Sequence, residues 1–299
     1  MTETAEGLPA ASMLALPTSW RAIAARLGRH RSAVCGAVFL LLLGAGCLAA
    51  DLAGDPFAPR LGEAISGPSV AHPFGTDELS RDVLTRVLHG GRNTLPVALG
   101  VALLSTAIGA AVGMVAGYLG GRLGDLLMRV VDLALIIPPL PLAIVAASLA
   151  IGPFRASSRP GVTLLLSLLL WAPLARVLYA QVRSLREQPF VEAALASGAG
   201  SARIITRHLL PNVGGTIIVN ATLAVAGATL AESALSFLGF GAAGSSWGRM
   251  LSESISLMSL YPWMTIFPGL AIFLTVLSVS LIGSGLQGAF DPRAHEPWR

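Results

Sequence analysis

Apolar residues in this chain gather into long runs separated by shorter polar stretches. About 20 mainly apolar residues cross the hydrocarbon core of a bilayer. Runs of that scale cover residues 32–50, 95–119, 126–151, 161–180, 213–231 and 264–286. The pattern predicts six membrane-spanning helices. Between the first two runs, residues 51–94 are rich in Pro, Gly and acid, and residues 77–92 read as a short amphipathic helix leading into the second span. Gly120, Gly121, Arg122 and Gly124 predict a tight turn, and residues 152–160 another. Residues 238–263 form a second polar segment, with an amphipathic helix expected near 247–257. Residues 1–20, with Pro9 and Pro17, read as a mostly disordered tail.

The third run carries Pro138, Pro139 and Pro141 near its middle. Proline removes a helical hydrogen bond and collides with the preceding turn, so the helix must break or kink there. Broken backbone at membrane depth is tolerated only against protein or a water-lined cavity. These prolines are therefore candidate pathway-lining positions.

Composition supports a bilayer environment. The chain of 299 residues is 54% hydrophobic and only 12% charged, with a mean hydropathy of +0.72; soluble domains carry about 25% charged residues. All 20 basic residues are arginine. A phosphate-binding loop of the G-x-x-x-x-G-K-[ST] type needs a lysine, so that ATPase site is excluded. The net charge of +4 does not point to nucleic acid, because the arginines follow membrane topology. In a six-span arrangement with both termini in the cytoplasm, 13 arginines fall inside and seven outside. Cys35 and Cys47 lie in one predicted helix, 12 residues and about 18 Å apart. A disulfide needs Cα atoms within about 7 Å, so they cannot bridge within the chain. The five histidines show no H-x-x-x-H or H-E-x-x-H spacing, which argues against a zinc enzyme. No Ser-His-Asp or Cys-His set is credibly placed for hydrolysis.

The polar island at residues 181–212 is the most informative stretch. Pro189 suits the first turn of a helix, and Glu192 complements its dipole there. Ala193, Ala194 and Ala196 favour helix and leave a smooth surface. Gly198 and Gly200 end it. A second helix over residues 201–210 places Ile204, Ile205, His208 and Leu209 on one side, and Pro211 is expected to stop it. A docking element for a soluble protein and an ordinary loop bedded on lipid headgroups both fit this pattern.

The arrangement Glu192-Ala193-Ala194-x3-Gly198-x9-His208-x-Leu210-Pro211 resembles the EAA loop of binding-protein-dependent ABC permeases. His208 stands where many members have isoleucine, as is usual in the peptide branch. His72-Pro73-Phe74-Gly75-Thr76-Asp77 with Ser80-Arg81-Asp82 resembles that branch's external loop, which usually has Gly at the place of Ser80. Residues 128–132, 232–239, 247–251 and 291–293 resemble further segments of it. Together they resemble the C-type permease of the dipeptide/oligopeptide/nickel family.

The resemblance implies an all-α polytopic protein with type I ABC-importer permease architecture, in a bacterial inner membrane. It implies 1–31 as a cytoplasmic tail, 32–51 as the first span, 52–94 as an extracytoplasmic segment, 95–290 as the core permease and 291–299 as a cytoplasmic tail. Glu192, Ala193, Ala194, Gly198, His208, Leu210 and Pro211 would couple to an ATPase. Implied partners are a homologous B-type permease, two ATPase subunits or one fused pair, an extracytoplasmic binding protein and membrane lipid. ATP and Mg would bind the ATPase subunits, leaving no cofactor or metal in this chain. Peptides are the first substrate expectation; nickel, haem and other small solutes occur in the same family. A gradient-driven transporter or channel is the alternative, and it would want paired intramembrane acids.

Two acids deserve weighing on that account. Asp132 follows Arg129 by about one helical turn and is expected to pair with it. Glu232 lies near the outer end of its span, where capping or polar packing between subunits is expected. A substrate role is the alternative for both. Gly109, Gly113 and Gly117 mark close helix packing, either within the subunit or at a subunit seam. His72 and His89 are read as structural.

Overall fold

A computed structural model describes residues 20–56, 65–149 and 158–290. The expected tail at 1–19, most of the turn at 152–160 and the motif at 291–293 lie outside these residues. The described residues are helical, apart from turns and one isolated bridge between Thr76 and Asp82. The helices are α1 (Trp20–Leu27), α2 (Arg31–Leu48), α3 (Val83–Leu119), α4 (Gly121–Ile136), α5 (Pro139–Ser148), α6 (Arg159–Leu170), α7 (Ala172–Arg186), α8 (Pro189–Ala196), α9 (Ser201–Arg203), α10 (Leu210–Phe237), α11 (Trp247–Ser254) and α12 (Trp263–Phe290). Four unbroken helices are long and apolar enough to cross a membrane, and six spans result if α4 with α5 and α6 with α7 each count as one bent span.

The central element is α3, whose 37 residues extend about 55 Å. The amphipathic stretch expected before the second span is not a separate helix. Asp82 caps α3 by accepting from the Thr85 amide at 2.7 Å, so the helix begins at Val83 and runs unbroken into the span. Pro96 sits inside this helix without ending it. Gly109, Gly113 and Gly117 face α7, which settles their role as packing within the subunit. A Cβ on Gly113 would lie 2.5 Å from the Ala175 carbonyl oxygen, and one on Gly117 2.9 Å from that of Tyr179. Only bare backbone permits this approach. Gly120 and Gly121, with φ of +60° and +54°, turn the chain from α3 into α4.

The proline break is as sharp as the sequence requires. Ile137 and Pro138 take extended backbone, and α5 leaves α4 at 84°. Pro138, Pro139 and Pro141 are exposed. Around them Leu133, Ile136, Ile137, Val145 and Leu149 are exposed too, while Ala143 and Ala147 of α5 are buried.

Near the start of α3, an apolar cluster joins Val83 and Val87 to Trp247, Met250 and Met264. The Trp247 indole donates to the Val87 carbonyl at 2.8 Å, and Phe74 stacks on Phe267 at 3.9 Å. Asp77, 1% exposed, accepts from Arg81 at 2.7 Å and Arg86 at 2.6 Å, and Arg86 also donates to Glu253 at 2.5 Å. This ion network locks the loop before α3 onto α11. His72 and His89 have structural contacts: Nδ1 of His72 lies 3.0 Å from Asp82, and Nε2 of His89 lies 3.1 Å from the carbonyls of Ala50 and Gly54.

Candidate functional site: the interspan hairpin

The hairpin lies at the opposite end of α3 from Trp247. Val191, Ala194, Ile204 and Leu209 are buried against Met114 and Tyr118 of α3 and Leu178 and Val182 of α7. Those four apolar residues anchor α8 and the following turns to the membrane helices. The opposite face is open: Glu192, Ala193, Leu195, Ala196, Ser197 and Gly198 are exposed. The sequence motif is thus divided. Ala194 serves the core, whereas Glu192 and Ala193 face outward.

The bend is a Schellman motif. Ala199 N–H donates to the Ala194 carbonyl at 3.0 Å, and Gly198 N–H to that of Leu195 at 2.9 Å. Gly198 adopts φ +79°, the left-handed region that favours glycine, and a Cβ there would meet nothing within 4 Å. Gly200, at φ −72°, needs no such freedom.

Pro211 does not stop the second helix. α9 passes through a π-helical stretch, Ile204–Leu209, straight into α10, forming one helix from Ser201 to Phe237. In the wider π turn the Leu210 amide bonds back to the Ile205 carbonyl. The helix thereby enters Pro211 as the second residue of a new α-segment, where a missing N–H costs little. His208 is half-buried, Leu210 and Pro211 are exposed, and the His208 carbonyl accepts the Asn212 amide at 2.6 Å. The segment expected to be a short hairpin helix is therefore the first part of a membrane helix. Residues 201–207 are thus continuous with the long apolar helix that follows.

The two acids are placed differently from expectation. Asp132 pairs with Arg176 of α7 at 2.5 Å rather than with Arg129. Arg176 approaches because α4 and α7 pack side by side on α3. Glu232 packs within this chain, not between subunits and not as a cap: it is 1% exposed and accepts from Ser236 at 2.6 Å. The hairpin, Asp132, Glu232 and the three prolines do not converge on one site.

A feature the sequence reading missed is a groove of about 500 Å³ between α7, α10 and α12. Gln181, Asn212, Thr216, Asn220 and Gln287 supply its polar lining. The signal was present in Asn212, Thr216 and Asn220, spaced four apart within an apolar helix. Gln181 and Gln287 come from distant parts of the chain, and only the packing brings them together.

The combination of a docked interspan hairpin with an open outer face and bilayer-length helices agrees with the comparisons. Residues 109–296 match the model of the binding-protein-dependent transport system inner membrane component. The chain belongs to this family. It is an ABC-importer permease of the DppC/OppC type. A Brucella suis biovar 1 protein named as a peptide permease is 42% identical over 276 residues, covering 90% of this chain and 89% of its own. A peptide transport system permease protein of Brucella abortus is 40% identical over 277 residues, 90% of each chain. The dipeptide transport system permease protein DppC of Alkalihalophilus pseudofirmus is 33% identical over 300 residues, 98% of this permease and 96% of its own length. The permease is a multi-pass membrane protein, and its family is one of transport components rather than enzymes.

Proposed function

We propose that this permease imports dipeptides or oligopeptides, and that ATP hydrolysed by partner subunits drives it through alternating access. The observation that carries the reading is the α8–Gly198 hairpin. Its inner face is packed against the membrane helices through apolar side chains and its outer face is open. Glu192, Ala193 and Gly198 present the contact surface to an ATPase, while Ala194, His208, Leu210 and Pro211 join that surface to α10. ATP and Mg bind in the ATPase subunits. The peptide substrate is supported by the names of the relatives.

In this reading the hairpin end and both termini face the bacterial cytoplasm. Residues 1–31 and 291–299 are cytoplasmic tails, 32–51 the first span, 52–94 extracytoplasmic and 95–290 the core permease with its coupling loop at 181–212. A homologous B-type permease completes the pathway. Two ATPase subunits or one fused pair drive it, and an extracytoplasmic binding protein delivers the solute.

Purification from native membranes in mild detergent tests the assembly. A second permease and a P-loop ATPase should accompany the chain. Uptake should stop on ATP depletion and survive an ionophore. Loss of uptake with the ionophore alone, from a chain that purifies without an ATPase, would replace this reading with a gradient-driven transporter.

A further inference from the structure

The groove between α7, α10 and α12 is assigned no role by the hairpin. Its polar lining is unusual for a membrane helix. Gln181, Asn212, Asn220 and Gln287 contribute four carboxamides, Thr216 adds a hydroxyl, and no charged side chain lines it. Asn212, Thr216 and Asn220 stand one above another on α10, because residues four apart share a helical face. Asn212 donates its amide to the His208 carbonyl at 2.6 Å, and Asn220 to that of Thr216 at 2.8 Å. One N–H of each of these two asparagines is thus engaged by its own helix, leaving its second N–H and its oxygen for the groove. Against lipid the Asn220 oxygen, inside the run 213–231, would have no partner. The face is therefore built for water or a hydrogen-bonding solute.

We propose that this groove is the hairpin-side section of the solute pathway and that its carboxamide ladder hydrogen-bonds the main chain of a passing peptide. A carboxamide carries both donors and an acceptor, as a peptide group does. A lining without charge favours neither sign of peptide side chain and provides no ion pair to trap a terminus. The volume of about 500 Å³ lies within the range of about 300–1,000 Å³ usual for small-molecule sites. The inference rests on the importer reading for its substrate, but its placement of water is independent of that reading.

The test uses the assembled transporter in inverted membrane vesicles, with Cys35→Ser to remove the exposed native thiol. Thr216→Cys and Asn220→Cys should react with an anionic, membrane-impermeant methanethiosulfonate at least tenfold faster than Phe273→Cys, an exposed α12 position outside the groove. A transported dipeptide should slow those reactions. Asn220→Leu should cut uptake at least tenfold, and Asn220→Gln, which keeps the carboxamide, should restore most of it. Groove thiols no faster than Phe273→Cys, or wild-type uptake by Asn220→Leu, would overturn the proposal while leaving ATP-driven import intact. Uptake indifferent to ATP depletion would instead remove the importer reading, and the labelling would still report whether the groove holds water.

Discussion

At the scale of single residues, positive φ marks the positions where backbone chemistry constrains sequence most. Gly198 at φ +79° closes the Schellman bend, with open space where a Cβ would stand. A side chain there costs about 1–2 kcal/mol of left-handed strain but collides with nothing in the chain. Asp is among the residues that tolerate this region best. Gly198→Asp should therefore leave the permease in the membrane at wild-type level while adding bulk and charge to the hairpin's open face. Uptake should fall at least tenfold, with ATPase activity no longer stimulated by substrate; normal import by this variant would remove Gly198 from the coupling surface. Ser80 is the sole described non-glycine residue at positive φ, at +56°. The resembling external loops usually place glycine there, and the conformation gives the reason. Ser80→Gly should be tolerated, whereas Ser80→Val should lower the melting temperature of the purified complex, by the equivalent of at least about 1–2 kcal/mol. Equal melting of the two variants would show that the turn adapts to a β-branched side chain.

At the scale of elements, the α3–α7 seam is the most exacting contact. Gly109, Gly113 and Gly117 let a long helix press against the backbone of its neighbour. Gly113→Leu must push α7 away from a carbonyl 2.5 Å from where its Cβ would lie, and this should prevent accumulation of the folded permease in membranes. Gly44→Ala is the matched control: nothing lies within 4 Å of that Cβ, and Ala favours helix over Gly by about 1 kcal/mol. Comparable loss from both would mean that the seam is not a close contact in the membrane. The small-residue spacing was legible in the sequence, as were the long apolar helices, the break at Pro138 and Pro139, and the turn at Gly198. Each rests on local chemistry. Their partners were not legible, because partners are set by packing: α7 for the glycines, Arg176 for Asp132, Ser236 for Glu232. Pro211 was misread for a related reason. Proline ends an α-helix that needs its N–H as a donor, but the π stretch before it changes the register and makes it the start of the next segment.

At the scale of the whole molecule, two kinds of surface share the exterior. One is apolar, around the break between α4 and α5, where Leu133, Ile136, Val145 and Leu149 are exposed; lipid or protein can cover it. The other is the polar groove, where four carboxamides and a hydroxyl line a cleft opening from membrane helices. Lipid cannot satisfy that second surface, since hydrocarbon offers no hydrogen-bond partner. Most of the α10 face is also incompletely covered by this chain alone. A homologous permease seated against α10 would enclose the groove and turn it into a conduit. It would also bury apolar residues that otherwise depend on lipid. The permease should then be less stable alone than paired. Deleting the gene for the second permease should lower its steady-state level in membranes several-fold, because unfolded and incompletely assembled chains are removed continuously. The surviving fraction should melt at a lower temperature in detergent. Unchanged abundance and melting would show that the single chain satisfies its own polar face, and would place the closure of the groove within one subunit or a homo-oligomer.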